Sequence, residues 1–194
     1  MRIEKLEQDK YTSVDCSISP KKINLYSGLI ILPIYVLYTV IYLLRWDYAN
    51  IFATIFKVTF LLELFILAIA IIIVQLVSLV IKGALLSALS EGKWDFVKFK
   101  FLAENQKPYV TINEPLTVSQ YRFCQAVYII CFALLPFAIS MMIGDFMFVL
   151  ASFICVLIAG SDILFFFNLL KHNGNSYMID YNGIFLYKIY NSKK

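Results

Sequence analysis

Four long apolar stretches, separated by polar segments, dominate the pattern of this chain. They run from about 26 to 44, 58 to 81, 124 to 143 and 146 to 170. The hydrocarbon core of a bilayer is about 30 Å thick and takes about 20 helical residues to cross, so each stretch can span it. Continuous helices satisfy their own backbone hydrogen bonds in lipid. The pattern therefore predicts an α-helical integral membrane protein with four transmembrane helices.

The polar segments carry signals for the ends of the helices. The helical pattern of the second span continues to Leu89, beyond the membrane, and is expected to stop at Glu91-Gly92. Thr117 is expected to cap the helix that leads into the third span. Residues 1–25 are interpreted as a cytoplasmic N-terminal tail, and 26–194 as one membrane domain.

Two polar segments alternate apolar and polar residues, which predicts small cytoplasmic β-hairpins. The first hairpin is expected over 94–112, with its turn at 104–107. The second is expected over 177–190, around a turn at 181–183 whose Asn-Gly step is a strong hairpin signal.

Composition and charge support this class of protein and predict its orientation. Hydrophobic residues make up 61% of the chain and charged residues 15%, against about 45–50% and about 25% in soluble domains. Fifteen of the 17 lysines and arginines lie in 1–25, 82–122 and 171–194. Since positive residues concentrate on the cytoplasmic side, we expect a multi-pass protein of the cell membrane with both termini cytoplasmic. The membrane topology and the attraction of basic residues to anionic lipid explain this distribution of charge, so we expect no nucleic-acid partner.

Two acidic residues, Glu63 and Asp162, interrupt the apolar stretches. An aspartate at the centre of a membrane helix costs about 2.5–3.5 kcal/mol, so each acid should face protein or water. Asp162 lies 16 residues after Phe146, about 24 Å along a helix, at a depth that Ser78 and Lys82 also reach. Ser78 and Lys82 share a helix face because they are four residues apart. We therefore expect a buried ion pair between Lys82 and Asp162, with Ser78 beside it.

The cysteines and the sole histidine carry weaker signals. Cys16, Cys124, Cys131 and Cys155 are cytoplasmic or within lipid in this topology, and we expect free thiols. The spacing of Cys124 and Cys131 is interpreted as apolar packing, while metal binding through cysteines stays open. His172 follows the fourth span and is interpreted as an interfacial residue.

Five short motifs between residues 60 and 190 carry a family resemblance. They are Ser78–Gly83, Gly92–Phe99, Pro108-Tyr109, Glu114–Arg122 and Ala159–Leu164. In this order they resemble the zincin peptidase family of small bacterial membrane proteins, which is classed as a domain of unknown function. The most specific parts are the Glu-Pro-Leu-Thr and Gly-Ser-Asp steps.

The resemblance implies a membrane helix with an HExxH zinc motif, and a late-helix aspartate as third ligand, as in intramembrane site-2 metalloproteases. Two imidazoles one turn apart then hold Zn²⁺, and the glutamate is the general base. This chain has Ser78 and Lys82 at the histidine positions and Leu79 at the base position, so that only Asp162 remains. Because a protonated lysine repels a cation and leucine cannot transfer a proton, we expect no bound metal or cofactor.

Three hypotheses for the function follow. The first is a pseudoenzyme, a catalytically inactive zincin-like protein. It would bind a membrane protein, a peptide or a lipid as an accessory or regulatory subunit, through the groove of the lost zinc site and the hairpins. The second is an active intramembrane-type metallopeptidase with a non-standard metal site. The third is an ion or proton transport accessory that uses Glu63 and Asp162. The sequence names neither the partner nor the oligomeric state.

Overall fold

Four long helices make up most of the part of the chain that the structure describes. The structure is a computed structural model and describes residues 11–16, 20–46, 51, 54–90, 94, 97–102, 107–112, 114–180 and 187–192. The helices are α1 (Pro20–Arg45), α2 (Phe60–Leu89), α3 (Val118–Ile143) and α4 (Phe146–Leu169). Each is long and apolar enough to span a membrane, which confirms the four predicted helices in these described ranges.

The first two helices differ in length from the predicted spans. α1 begins at Pro20, six residues before the predicted start, and proline is favoured at the first position of a helix. α2 runs unbroken from Phe60 to Leu89 over 30 residues, about 45 Å. This length exceeds the hydrocarbon core, so a membrane-spanning α2 must tilt or protrude. Its expected stop at 91–92 lies outside the described residues.

The third helix begins as predicted but contains a turn that the sequence pattern does not show. Thr117 caps α3: its hydroxyl accepts from the backbone N–H of Gln120 at 3.2 Å, and the Gln120 side chain accepts from the backbone N–H of Thr117 at 2.8 Å. A π-helical segment, Ile130–Leu134, interrupts α3 shortly before Pro136. Proline has no N–H to donate to the preceding turn, and a wider turn accommodates that loss.

Small antiparallel sheets lie at the end of the bundle where α1 and α3 begin. The strands are β1 (Tyr11–Asp15), β2 (Val97–Leu102), β3 (Lys107–Ile112), β4 (Leu116–Thr117), β5 (Tyr177–Asp180) and β6 (Tyr187–Ser192). β2 pairs with β3, and the other four form one sheet in the order β1-β6-β5-β4. The strands of both predicted hairpins are confirmed, although β2 begins at Val97 rather than at 94. The tips of the two turns, 103–106 and 181–186, lie outside the described residues.

Strand β1 is not expected from the sequence pattern, which assigns residues 1–25 to a tail. Tyr11 pairs with Ser192 and Asp15 with Lys188 across the β1–β6 ladder. The backbone N–H of Cys16 donates to the carbonyl of Tyr187 at 3.1 Å. Residues 11–16 are therefore folded onto β6, and residues 20–25 belong to α1.

One apolar core joins the sheets to the ends of all four helices. Its buried members come from α1, α2, α3, α4 and the strands, and include Ile23, Leu86, Ile112, Val118, Leu169, Met178 and Ile189. The β2–β3 hairpin lies against α2 at Gly83, where an added Cβ would lie 3.2 Å from the ring of Phe99 and 3.4 Å from Val97. This contact places β3 over the interior of the bundle.

At the opposite end of the bundle, Trp46 joins the end of α1 to the turn between α3 and α4. Gly144 connects α3 to α4 with a φ of 77°, and an added Cβ there would lie 2.5 Å from the ring of Trp46. The Trp46 Nε1–H donates to the carbonyl of Met141 at 3.1 Å, and the Tyr42 hydroxyl donates to the carbonyl of Gly144 at 3.2 Å. The residues at the end of α1 are thereby fixed to the turn between α3 and α4.

Candidate functional site

An ion pair between Lys82 of α2 and Asp162 of α4 lies inside the bundle. Lys82 Nζ is 2.5 Å from Asp162 Oδ1, and the two side chains are only 10% and 7% exposed. These are the two residues that the sequence analysis expects to meet. Opposite charges that are buried together offset part of the desolvation cost that each would carry alone.

Three helices place polar side chains at the same depth. Lys82 lies seven residues before the end of α2, and Asp162 lies seven residues before the end of α4. Gln125 lies seven residues after the start of α3, which runs in the opposite direction. At 1.5 Å per residue, all three lie about 10 Å from the end of the bundle that carries the sheets.

Gln125 is the member of this site that the sequence analysis misses. Its side chain is 2% exposed. Its Nε2–H donates to Asp162 Oδ1 at 2.5 Å, and Nε2 also lies 3.4 Å from the Asp162 backbone carbonyl. One carboxylate oxygen thus accepts from both an ammonium and an amide. Counting depth inward from the start of α3 would have aligned Gln125 with Asp162.

Ser78 lies near the pair but bonds elsewhere. Its hydroxyl donates to the carbonyl of Gln75 at 2.7 Å and lies 3.5 Å from the hydroxyl of Tyr128. The ring centroid of Tyr128 is in turn 5.0 Å from Lys82 Nζ, within the range of a cation–π interaction. Tyr128 therefore contacts both Ser78 and the ammonium, and the hydrogen bond that Ser78 donates goes to Gln75 rather than to Asp162.

A small cavity of about 40 Å³ adjoins the ion pair. Polar side chains of α2, α3 and α4 line one side, and Pro108, Tyr109 and Val110 of β3 cover the other. This volume holds a few water molecules and is far below the roughly 300–1,000 Å³ of small-molecule sites. The centre of the site is therefore packed and closed by the hairpin.

The other two site residues that the sequence predicts, Leu79 and Glu63, lie outside the hydrogen-bonded cluster around Asp162. Leu79 is partly buried and packs against the apolar core. Glu63 lies in the first turn of α2, where its carboxylate accepts from the Thr59 hydroxyl at 2.8 Å. Glu63 and Lys82 are 19 residues apart on one helix, about 28 Å. The structure therefore does not bring Glu63 and Asp162 into one site.

Ser78, Leu79, Lys82 and Asp162 do not fit a zinc ion. Zinc needs uncharged imidazole, thiolate or carboxylate ligands, whereas the ammonium of Lys82 is bonded to the Asp162 carboxylate. No group of three or more His, Cys, Asp or Glu side chains suited to a metal occurs in the described ranges. The four cysteines are free thiols; Cys124 is buried in α3, and Cys131, in the π-helical segment, is exposed.

A second polar cluster surrounds His172 just after the end of α4. The Arg122 guanidinium donates to the backbone carbonyls of Leu169, at 2.8 Å, and of His172. His172 Nε2 lies 3.8 Å from Cys16 Sγ. Burial, and then the charges of Arg122 and Lys171, lower the pKa of His172. Burial, and then Asp15, raise the pKa of the Cys16 thiol. Both shifts favour the neutral form of the group, and His172 lies just after the fourth helix, as the sequence predicts.

No protein-family model, no curated protein and no solved structure matches this chain.

Replacing Gln125 with leucine is expected to lower the free energy of unfolding by about 1.5–3 kcal/mol, because a buried hydrogen bond to a charged group is lost. Thermal unfolding in detergent micelles measures the loss. The same substitution in an Asp162→Asn background should cost clearly less. Equal losses in the two backgrounds would show that Gln125 does not act through the carboxylate.

Proposed function

We propose that this chain is a multi-pass protein of the cell membrane with both termini in the cytoplasm. Support comes from the four apolar helices and from their surface. Along α2, large apolar side chains such as Leu61, Phe65, Ile72 and Val80 are more than half exposed. An exposed apolar surface of this extent marks a membrane or protein contact. The excess of basic residues at the end of the bundle with the sheets supports its cytoplasmic placement.

Within that membrane, we propose a non-catalytic, zincin-like protein that acts by binding. The observation that carries this proposal is the Lys82–Asp162 pair, in which an ammonium bonds the carboxylate that would be the third metal ligand. Gln125 holds the same oxygen from a third helix. The ammonium and the carboxylate balance each other's charge, neither histidine position holds an imidazole, and leucine occupies the position of the general base.

The binding role follows from the shape of the described surfaces. The cavity beside the pair is too small for a peptide, so we place the binding surface outside the closed site. The partner we propose is a membrane component, either a lipid or a membrane protein for which this chain is an accessory or regulatory subunit.

Restoring the HExxH motif tests whether this site corresponds to the zinc site that the resemblance implies. The triple variant Ser78→His, Leu79→Glu and Lys82→His places two imidazoles one turn apart near Asp162, as zinc requires. We expect about one equivalent of zinc per chain in the purified triple variant and less than a tenth of that in the unmodified protein, measured by elemental analysis.

The matched control adds Asp162→Asn to the triple variant and should lose most of the zinc, since the third ligand is removed. Stoichiometric zinc in the unmodified protein would overturn the non-catalytic proposal. Zinc in the triple variant that does not depend on Asp162 would overturn the assignment of the ligand set.

A further inference from the structure

An elongated apolar groove lies on the membrane-facing surface between α1, α3 and α4, and its volume is about 350 Å³. Its lining is aliphatic and aromatic, from Phe167 and Ala126 at one end to Tyr38 and Leu134 at the other. Four lining residues belong to or flank the π-helical segment, whose wider turn shapes this wall. The groove is separate from the closed cavity at the ion pair.

The length of the groove suits one acyl chain of one leaflet. Along α4 it extends from Val156 to Phe167, eleven residues or about 16 Å. That length is close to half of the roughly 30 Å hydrocarbon core, which is the depth of one leaflet.

Two basic residues lie beyond the end of the groove that is nearest the sheets. Arg122 lies four residues before Ala126 on α3, one helical turn nearer the sheets, and Lys171 lies two residues past Leu169, the last residue of α4. The Arg122 guanidinium donates to the carbonyl of Leu169, the last residue of α4, and the Lys171 side chain is exposed. Asp15, which after burial is the second cause that raises the pKa of the Cys16 thiol, pairs with Lys188 across the β1–β6 ladder, so a basic residue lies opposite this acid.

We propose that the groove binds one acyl chain of an anionic phospholipid of the cytoplasmic leaflet, with its phosphate beside Lys171 and Arg122. This deepens the proposed binding role by naming the ligand, and it rests on the membrane placement proposed above. The cytoplasmic leaflet is the anionic one, and each basic residue near its surface adds attraction. The basic residues attract the phosphate, and the apolar lining, which is as long as one leaflet is thick, holds the acyl chain. Together they select anionic phospholipids.

Native mass spectrometry of the full chain from mixed micelles tests this proposal. The micelles contain equal amounts of phosphatidylglycerol and phosphatidylcholine with identical acyl chains. We expect one retained lipid per chain, with phosphatidylglycerol preferred. Lys171→Gln should reduce that preference about fivefold, while Lys98→Gln, at an exposed lysine of the β2–β3 hairpin, should leave it unchanged.

Filling the groove gives the second arm of the test. Ala126→Phe should abolish lipid retention, and the control Ala138→Phe, at an exposed alanine of the same helix outside the groove lining, should not. Should Ala126→Phe fail to fold, Ile130→Trp at an exposed lining position gives the same readout.

Three outcomes overturn the proposal: equal retention of the two phospholipids, retention that Ala126→Phe and Ile130→Trp do not reduce, or a groove variant that dissociates a dimer instead of releasing lipid. The zinc experiment on the triple variant does not involve the groove, so either proposal can fail without the other.

Discussion

Replacing Lys82 with methionine is expected to lower the free energy of unfolding by about 3–5 kcal/mol, because it leaves the buried Asp162 carboxylate without its counter-charge. Methionine keeps much of the length and apolar volume of the lysine stem, so the loss reports the charge more than the packing. The measurement is chemical unfolding in detergent micelles, followed by the fluorescence of Trp46 and Trp94.

The double variant Lys82→Met with Asp162→Asn should recover much of that loss, since a neutral amide replaces the unpaired charge and can still bond Gln125. Lys98→Met is the matched control: this lysine is exposed, and its replacement should change the free energy by no more than about 0.5 kcal/mol. If the two single losses simply add in the double variant, the ion pair is not the source of the effect.

The second large effect is expected at the opposite end of the bundle. Replacing Gly144 with alanine should lower the free energy of unfolding by about 2–4 kcal/mol. The positive φ disfavours any side chain, and the added Cβ would lie 2.5 Å from the rigid ring of Trp46. Unfolding in detergent measures this loss as well.

Gly28→Ala is the control for the Gly144 variant. Gly28 lies within α1 with nothing within 4 Å of an added Cβ. Alanine there should leave the free energy unchanged or raise it by up to about 1 kcal/mol, since alanine is the better helix former. Combining Gly144→Ala with Trp46→Leu should relieve the crowding but not the backbone strain. Identical behaviour of the two glycine variants would remove the special role assigned to Gly144.

The helices and hairpin strands could be predicted because their signals are local. Apolar runs of sufficient length, the alternation through β2, and Thr117 followed three residues later by Gln120 can each be seen within one short window. Lys82 and Asp162 could be paired because the predicted spans run in known directions, which fixes the depth of every residue in them.

What the sequence could not show depends on distant partners or on backbone geometry. The five residues of β1 become a strand because β6, more than 170 residues later, offers its edge. The role of Gln125 also depends on a distant partner: the start of α3 after Thr117 can be predicted, but no local signal marks the Gln125 amide as a partner of Asp162. The π-helical segment leaves no trace in the apolar pattern, because every residue around it is apolar or small.

The pairing of β1 with β6 has a consequence for how the molecule is made. At about 5–20 residues per second, a ribosome releases the partner of Tyr11 roughly 10–35 s after Tyr11 itself. All four helices are synthesised in that interval, so β1 is without its partner strand β6 until the chain is nearly complete. The four-stranded sheet can therefore form completely only after all four helices have been synthesised. Its formation is a late step of folding and does not guide the folding of the helices.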